Sequence, residues 1–223
     1  ASELADLDLE QLPPPIRSFA AARMPEDCRE AAERALASSA LVPLSEVASV
    51  LLGVVTGNRD FFLLPAERDD VPERFRTPAV SKPHHLSGCV FRPEDLRTLS
   101  SPWLLTVPPE YQGECESLDD YLEEGRRRGL PLGYKCRMRK PWYAVRRVGM
   151  PPDAFLGYLV KWRLRCAFNG AGANSTNNVH RIYFREDLRS RAPVIVASWT
   201  NAVTALTAEL LGRAYAGGVL KLE

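Results

Sequence analysis

Residues 168–184 read FNGAGANSTNNVHRIYF, and this stretch decides how the rest of the chain is interpreted. Amide, hydroxyl, imidazole and guanidinium side chains are gathered there, and strands are predicted at Trp162–Phe168 and Val179–Phe184. Gly170 and Gly172 interrupt regular structure, and Asn, Ser and Gly are common turn residues. The residues alone therefore favour a polar turn that joins two strands. The same groups also suit contacts to base edges and phosphates, because they donate and accept hydrogen bonds.

The composition is that of a globular domain. With 223 residues, of which 45% are hydrophobic and 26% charged, the chain is long enough for one large domain. No apolar run approaches the ~18 residues of a membrane span, and no secretory signal stands at the start of the chain. The five cysteines are scattered and form no CxxC pair, so we expect reduced thiols, no metal site and a cytoplasmic location.

Charge is divided unevenly along the chain, although the overall net charge is only +1. Residues 1–120 contain 11 basic and 21 acidic side chains, a net charge of −10, whereas residues 121–223 contain 18 and 7, a net charge of +11. The segment 121–150 alone has a net charge of +7. Such asymmetry indicates a surface for a polyanion. The alternative is a solvated face whose acidic partners lie in the first half of the same fold.

Hydrophobic patterning predicts an α+β fold, with a mixed or antiparallel sheet and flanking helices. Residues 1–40 are expected to form a short N-terminal helical arm or linker, and residues 41–223 the main domain. The tripeptide Thr56-Gly57-Asn58 predicts the tip of a hairpin between strands at Val47–Val55 and Asp60–Leu64. Further strands are predicted at Leu86–Phe91, Trp103–Val107, Tyr143–Val148, Ala154–Trp162 and Val179–Phe184. Helices are predicted at Ile16–Arg23, Pro25–Ser38, Pro93–Leu99, Ser117–Arg128 and Pro193–Leu211, the last with an interruption and a second cap at Ser198–Asn201.

A second polar stretch, YKCRMRKPWYAVRR, occupies residues 134–147. Lys135, Arg137 and Arg139 alternate with other residues, which would place three cations on one side of an extended segment. Trp142 follows closely. Cations mixed with aromatic rings suit a groove that follows a phosphate backbone. An edge strand protected from aggregation by its charges is an equally good interpretation.

No catalytic constellation stands out. The chain contains none of the motifs GxSxG, GxGxxG or GxxxxGK[ST], and it has only three histidines. His84 and His85 lie beside Pro83 in a loop-like stretch, where an ordinary surface is the simpler interpretation. An enzyme of another type would be indicated by a deep pocket that holds His180 or His84 next to a carboxylate.

Taken together, four segments resemble the C-terminal target-recognition region of adenine-N6 DNA methyltransferases from restriction–modification systems. The resemblance covers roughly residues 41–223, and the combination of segments is more specific than any one of them. The segments are residues 44–57 (LSEVASVLLGVVTG), Arg139–Tyr143 (RKPWY), Ser175–Phe184 (STNNVHRIYF), and a helix with Asn201 that leads into Glu209–Glu223 (ELLGRAYAGGVLKLE). The first segment is also similar to the specificity subunits of Type I restriction systems.

The resemblance implies a target-recognition-domain-like fold that binds double-stranded DNA and positions it for a neighbouring catalytic domain. In that family the catalytic domain binds S-adenosylmethionine and carries an Asp/Asn/Ser-Pro-Pro-Tyr/Phe motif around the flipped adenine. This chain has only Val107–Glu110 (VPPE) and Met150–Asp153 (MPPD), which lack the flanking polar and aromatic residues. We therefore expect no methylation and no cofactor in this fragment alone, and an adenine-specific methyltransferase as its parent.

The resemblance and the polar stretches together predict the DNA contacts. Phosphate contacts are expected from Lys135, Arg137, Arg139 and Lys140, with Trp142 packing on sugars or bases. Contacts to base edges or the adjacent backbone are expected from Asn174, Ser175, Thr176, Asn177, Asn178, His180 and Arg181. The predicted hairpin tip adds Thr56, Gly57 and Asn58, and a second backbone-binding edge is expected from Arg213, Tyr215, Gly217, Gly218 and Lys221. The alternative function is a protein-interaction module whose acidic half docks onto a catalytic or translocating partner.

Overall fold

The computed structural model describes residues 24–145, 148–160, 163–215 and 219–222. The predicted helix Ile16–Arg23 lies outside the described residues. The α-helices are α1 (Glu26–Leu36), α2 (Leu44–Val47), α3 (Arg59–Phe62), α4 (Pro93–Arg97), α5 (Glu116–Arg127), α6 (Tyr134–Arg137), α7 (Ala192–Ser198) and α8 (Ala202–Leu211). Short 3-10 helices are found at Glu73–Phe75, Pro83–His85, Leu130–Leu132 and Glu186–Arg191. Among the described residues, no helix is long and apolar enough to span a membrane.

The strands form three sheets within the described residues. The strands are β1 (Ala48–Leu51), β2 (Leu63–Leu64), β3 (Arg76–Val80), β4 (Val90–Phe91), β5 (Trp103–Leu105), β6 (Ala154–Gly157), β7 (Leu159–Val160), β8 (Cys166–Asn169), β9 (Asn174–Ser175), β10 (Val179–Phe184), β11 (Arg213–Tyr215) and β12 (Val219–Lys221). Their orders are β1-β10-β6-β8-β4, β2-β5-β3-β9 and β11-β12-β7. Pairing is antiparallel except at β4–β8 and β3–β9, so the predicted α+β fold with mixed and antiparallel sheets is confirmed.

Strand β10 lies inside the five-stranded sheet, between β1 and β6. The strand-like run Val179–Phe184 predicted this strand, and the prediction is confirmed residue for residue. Ile182 and Phe184 pack with Val196 of α7 on one side, whereas Val179 packs in a separate cluster with Phe155. The strand also contains His180 and Arg181, which can be buried with the apolar residues because their side chains bond the Leu222 and Leu52 carbonyls.

The four-stranded sheet has its own core, which is covered by helix α5. Leu118, Tyr121, Leu122 and Gly125 are the buried residues of that helix, and they follow the spacing of one helical face. The Tyr121 ring stacks on Phe61 with 4.5 Å between the centroids, and its hydroxyl donates to the Phe61 carbonyl at 2.6 Å. Hence α3, which carries Phe61, is held under the helix.

The stretch 168–184 passes from one sheet to the other and returns. It leaves the five-stranded sheet at the end of β8, contributes β9 to the four-stranded sheet, and re-enters the first sheet as β10. Gly172 supports the turn with a φ of +61°, in the left-handed region that favours glycine. The predicted turn between two strands is therefore correct, and it also ties two sheets together.

The predicted hairpin around residues 56–58 is wrong. Strand β1 belongs to the five-stranded sheet and β2 to the four-stranded sheet, so the segments before and after the tip do not pair. Asn58 instead caps α3, because its side chain accepts a hydrogen bond from the Phe61 N–H at 3.0 Å. The run after the tip is buried in the core of the four-stranded sheet, whereas Val50, Leu51 and Leu52 of the run before it are exposed.

Other predicted elements were partly correct. The helices α4 and α5 and the strand β5 lie within or close to their predicted ranges. The strand predicted at Leu86–Phe91 is shorter in the structure, where only β4 is present. No strand is described at 143–145, within the range Tyr143–Val148. The interruption predicted at Ser198–Asn201 is confirmed, because Asn201 caps α8 by accepting from the Thr204 N–H at 2.9 Å.

Helix α1 packs on helix α8. Ala32 and Leu210 are buried together, with Met24, Leu36 and Leu206 around them. The described part of the predicted N-terminal arm is thus in contact with the C-terminal helix.

Candidate nucleic-acid interface

Asn174 and Arg181, two predicted base-contacting residues, are buried. Their exposed fractions are 1% and 3%. The Arg181 guanidinium donates to the Asn174 Oδ1 at 3.4 Å and to the Leu52 carbonyl at 3.1 Å, and the Asn174 Nδ2 donates to the Gly149 carbonyl at 3.1 Å. These groups satisfy backbone carbonyls between the sheets, so the geometry does not support direct base contacts from them.

Ser175 and Thr176 also face the interior. The Ser175 hydroxyl donates to the Val179 carbonyl at 2.7 Å, which closes the turn before β10. The Thr176 hydroxyl donates to the Ser81 carbonyl at 3.3 Å. Both side chains are buried, and their hydrogen bonds explain why a Ser-Thr pair stands there without a ligand.

His180 joins the C-terminal strand to the five-stranded sheet. Its Nε2 lies 3.0 Å from the Leu222 carbonyl, and its ring meets the Tyr158 ring edge-on at 5.0 Å. The Lys221 ammonium lies over the same Tyr158 ring at 5.4 Å.

The residues of the predicted second edge form the antiparallel pair β11–β12, which includes Arg213. Gly217 and Gly218, also predicted there, lie outside the described residues.

Asn177 and Asn178 are the members of this stretch that reach the surface. Asn177 is exposed and Asn178 partly exposed. Their backbones are held: the Asn177 N–H donates to the Val54 carbonyl at 3.0 Å, and the Asn178 carbonyl accepts from the Tyr158 N–H at 3.1 Å. Two amide side chains therefore project from a rigid turn, as recognition of a ligand requires.

The extended arrangement predicted for Lys135, Arg137 and Arg139 is wrong, because residues 134–137 form the helix α6. Arg139 is only 8% exposed; its guanidinium lies over the Phe62 ring at 5.4 Å and donates to the Val55 carbonyl. The other predicted phosphate contacts of the segment are exposed, and they are Lys135, Arg137 and Lys140.

Trp142 packs against the core of the four-stranded sheet. Its ring centroid lies 5.5 Å from that of Phe61 and 6.3 Å from that of Phe62. A Cβ on Gly125 would lie 2.5 Å from the Trp142 ring, so the helix approaches the indole closely. The contacts account for the aromatic residue without a base or sugar.

The segment 53–58 contacts both the turn at residues 175–178 and the helix α6. The Val54 N–H donates to the Ser175 carbonyl at 2.7 Å. Gly57, with a φ of +88°, lies against α6, because a Cβ on it would be 2.7 Å from the Lys135 Cβ. Thr56, buried, lies between these two contacts. Residues 57–59, 135–140 and 177–178 are consequently neighbours in the fold, and we call them together the loop face.

Two shallow clefts are formed by described residues. One, of about 210 Å³, lies at the loop face between residues 52–55 and Lys135, Met138 and Arg139. The other, of about 220 Å³, is lined by Glu73, Arg76 and Trp103. Both are smaller than the roughly 300–1,000 Å³ of typical small-molecule pockets. Within the described part of the chain, no group of three or more His, Cys, Asp or Glu side chains is placed to hold a metal ion.

Two groups of exposed cations are distinguished among the described residues, and most of their members belong to segment 121–150. On α5, Arg126 pairs with Glu123 at 3.0 Å, and just beyond its end Arg128 pairs with Glu124 at 3.3 Å. In contrast, the loop-face cations form no ion pair with any carboxylate in the part of the chain that the structure describes; these cations are Arg59, Lys135, Arg137 and Lys140. The acidic partners of Arg126 and Arg128 lie on the same helix and not in the first half of the chain, so these pairs do not bear out the alternative interpretation of the charge asymmetry.

A further basic group was missed by sequence reasoning. It surrounds the short helix Pro83–His85, where burial, followed by the charges of His84, Lys82 and Arg59, lowers the pKa of His85 to about 4. The Arg165 guanidinium donates to the Leu86 carbonyl at 3.2 Å. Lys82, His84 and His85 are close in sequence, as are Arg163 and Arg165, but only the fold brings the two segments together.

Comparison with known proteins adds family and fold. Residues 17–223 match the family described as the C-terminal domain of the Type II methyltransferase M.Eco57I. The chain is 25% identical over 193 residues to the Type II methyltransferase M.XamI of Xanthomonas campestris pv. amaranthicola, an alignment that covers 82% of this chain and 34% of that protein. The chain thus spans about a third of the length of this curated relative.

The fold is similar to part of a solved structure, that of the type IIG restriction endonuclease BpuSI. The TM-score is 0.55 with 13% sequence identity, over 87% of this chain and 24% of that chain. At this level of identity the similarity concerns the fold alone.

Proposed function

The chain belongs to the family of the C-terminal domain of the Type II methyltransferase M.Eco57I, and from this we propose that it is the part of a restriction–modification methyltransferase that binds double-stranded DNA and recognises the target sequence. The observation that carries the proposal is the loop face. There, exposed cations that pair with no described carboxylate lie beside the exposed Asn177 and the partly exposed Asn178 on a rigid turn. Family membership also confirms the resemblance that the sequence motifs indicated.

Within the loop face the roles differ by chemistry. Lys135, Arg137 and Lys140 would contact phosphates, which set affinity and register but carry no sequence information. Asn177 and Asn178 would contact base edges, since an amide can donate and accept at the same time, as adenine N6 and N7 require. The buried polar residues of the same stretch would hold the turn in place.

The catalytic step belongs to the rest of the parent protein in this proposal. We propose adenine N6 as the methyl acceptor, on the resemblance of the motifs to adenine-N6 methyltransferases. S-adenosylmethionine would be bound by a neighbouring catalytic domain. The residues that line the two clefts of this chain do not fit that cofactor, because the clefts are small and lack a glycine-rich loop after a strand.

Salt dependence of DNA binding tests the loop face. The variant Lys135→Gln/Arg137→Gln should bind all duplex sequences more weakly, and the slope of log K against log salt should fall by roughly 2, because each phosphate contact contributes about 0.9. Binding to a labelled duplex over a salt series measures both quantities.

The control is Arg126→Gln/Arg128→Gln, which removes the same charge from cations that are already paired on and just beyond α5. This variant should keep the slope of the unsubstituted chain. Equal slopes for all three proteins would contradict the assignment of phosphate contacts to the loop face.

A second candidate function is a protein-interaction module, and the exposed edge of the five-stranded sheet favours it. Strand β1 pairs only with β10 among the described strands, and Val50, Leu51 and Leu52 are 40%, 50% and 43% exposed. An apolar open edge is typical of a surface that another protein covers. Absence of DNA binding at low salt, together with tight binding to a catalytic or translocating partner, would favour this function.

A further inference from the structure

We propose that Arg59, Lys82, His84, His85, Arg163 and Arg165 form a second phosphate-binding site, next to the loop face, that holds a backbone phosphate of the bound DNA. The inference rests on the proposed DNA-binding function. The inference extends the proposed DNA-binding surface by the segment Lys82–His85, which we call the histidine loop.

The cations converge although they are far apart in sequence. Pro83 and Arg165 meet at Gly157, where an added Cβ would lie 3.1 Å from the Pro83 Cβ and 3.5 Å from the Arg165 Cβ. The Arg165 guanidinium donates to the Leu86 carbonyl at 3.2 Å, and that of Arg163 to the Ser87 carbonyl at 3.5 Å. Both arginine side chains therefore lie next to the histidine loop and to the residues that follow it, Leu86 and Ser87.

Three positively charged side chains lie close enough to His85 to lower the pKa of its imidazole. After burial, the largest cause, the nearby charges of His84, Lys82 and Arg59 each lower the pKa of this imidazole. All of these contributions disfavour a further positive charge. Burial would disfavour an anion as well, so only the three neighbouring positive charges, together with the geometry above, favour an anion at this place.

The groups available there are hydrogen-bond donors. Arg59, Lys82 and Arg163 form no ion pair with a carboxylate among residues 24–145, 148–160, 163–215 and 219–222. The His85 Nδ1 is buried and has no hydrogen-bond partner within the described chain, and the His84 side chain is exposed. Guanidinium, ammonium and imidazole groups without an acidic partner fit a phosphate, whose oxygens only accept.

The position of the site, next to the loop face, favours a phosphate of the DNA backbone as the group that it binds. The Thr176 hydroxyl bonds the Ser81 carbonyl at 3.3 Å, which joins the histidine loop to the turn that carries Asn177. Arg59 directly follows Asn58 in the loop face. The histidine loop and the loop face are thus continuous, as contacts to successive phosphates along one duplex require.

The first test is DNA binding by Arg59→Gln/Lys82→Gln over a salt series. The slope of log K against log salt should fall by roughly 2 relative to the unsubstituted chain. The matched control is Arg185→Gln/Arg189→Gln, which removes equal charge from residues paired with Asp187 and Asp153 beyond the other end of β10. Circular dichroism and thermal unfolding check that both variants fold.

The second test uses inorganic phosphate and needs no DNA. At constant ionic strength and neutral pH, phosphate replaces chloride while NMR follows the imidazole signals of the three histidines. His84 and His85 should shift with saturation in the unsubstituted chain and not in Arg59→Gln/Lys82→Gln. His180, held at the Leu222 carbonyl, is the internal reference.

The outcomes separate this inference from the proposed function. An unchanged slope with normal DNA binding would overturn the inference and leave the proposed function intact. Saturation by phosphate without an effect on the slope would do the same, because the site would then bind only free phosphate. Absence of any DNA binding would contradict the proposed function, and phosphate that shifts no histidine would then overturn the site as well. A reduced slope together with saturable shifts supports it.

Discussion

Asn169 holds the turn after β8 closed with three hydrogen bonds. Its Nδ2 donates to the Pro152 and Ala173 carbonyls at 2.7 and 2.8 Å, and its Oδ1 accepts from the Ala173 N–H at 3.0 Å. Asn177, in the same stretch, is exposed. Because a buried amide costs free energy unless it is bonded, burial decides which asparagines serve the fold and which remain for a ligand.

Asparagine substitutions should separate these two roles. Asn169→Ala should lower the free energy of unfolding by about 2–3 kcal/mol, since it leaves buried backbone groups without partners. Asn177→Ala should change it by less than about 0.5 kcal/mol and should instead relax the choice of target site in the full enzyme. Urea unfolding and methylation of competing duplexes measure the two effects. Equal losses of stability would show that Asn177 also serves the fold.

At the scale of elements, an asparagine cap begins two of the helices. Asn201 caps α8, and Asn58 caps α3, the single turn that carries Phe61 and Phe62 into the core. A four-residue helix has little stability of its own, so the cap and the buried rings maintain it. Asn58 therefore has a structural role in a position predicted to contact DNA.

Two substitutions of Asn58 test that role. Asn58→Ala should lower the free energy of unfolding by about 1 kcal/mol, whereas Asn58→Asp should retain the cap. The aspartate adds a negative charge to the loop face, so it should weaken DNA binding without a loss of stability. Thermal unfolding and duplex binding of both variants measure these effects. If Asn58→Asp binds DNA as tightly as the unsubstituted chain, residue 58 lies away from the duplex.

At the scale of the whole molecule, two cores meet where residues 52–55 cross the stretch 174–179. The Val54 N–H bonds the Ser175 carbonyl, and the Arg181 guanidinium bonds the Leu52 carbonyl. Gly53 lies at the crossing, where a Cβ would be 2.1 Å from the Thr176 carbonyl oxygen and 2.5 Å from that of Val179. Backbone atoms cannot yield there without displacing β9 or β10.

Gly53→Ala should therefore lower the free energy of unfolding by about 2–4 kcal/mol and loosen both sheets. Gly88→Ala is the matched control, because a Cβ on Gly88 meets no atom within 4 Å. Urea unfolding gives the free energies, and amide hydrogen exchange shows whether β9 and β10 both lose protection. Equal stability of the two variants would contradict the close crossing.

The sequence by itself determined the features that depend on neighbours along the chain. The strand β10, the helix α5 and the cap at Asn201 follow from local spacing and capping chemistry, and each is present in the structure. The order of four motifs also sufficed to indicate the family that residues 17–223 match.

Only the tertiary structure decided which polar side chains are buried. Arg181 bonds Leu52 and Arg139 bonds Val55 across long sequence separations, and no local pattern encodes such contacts. The basic site around His85 likewise exists because loops distant in sequence are brought together. Burial and electrostatic potential are sums over such neighbours in space, so the fold had to be known before the candidate DNA-binding residues could be separated from those that hold the turn.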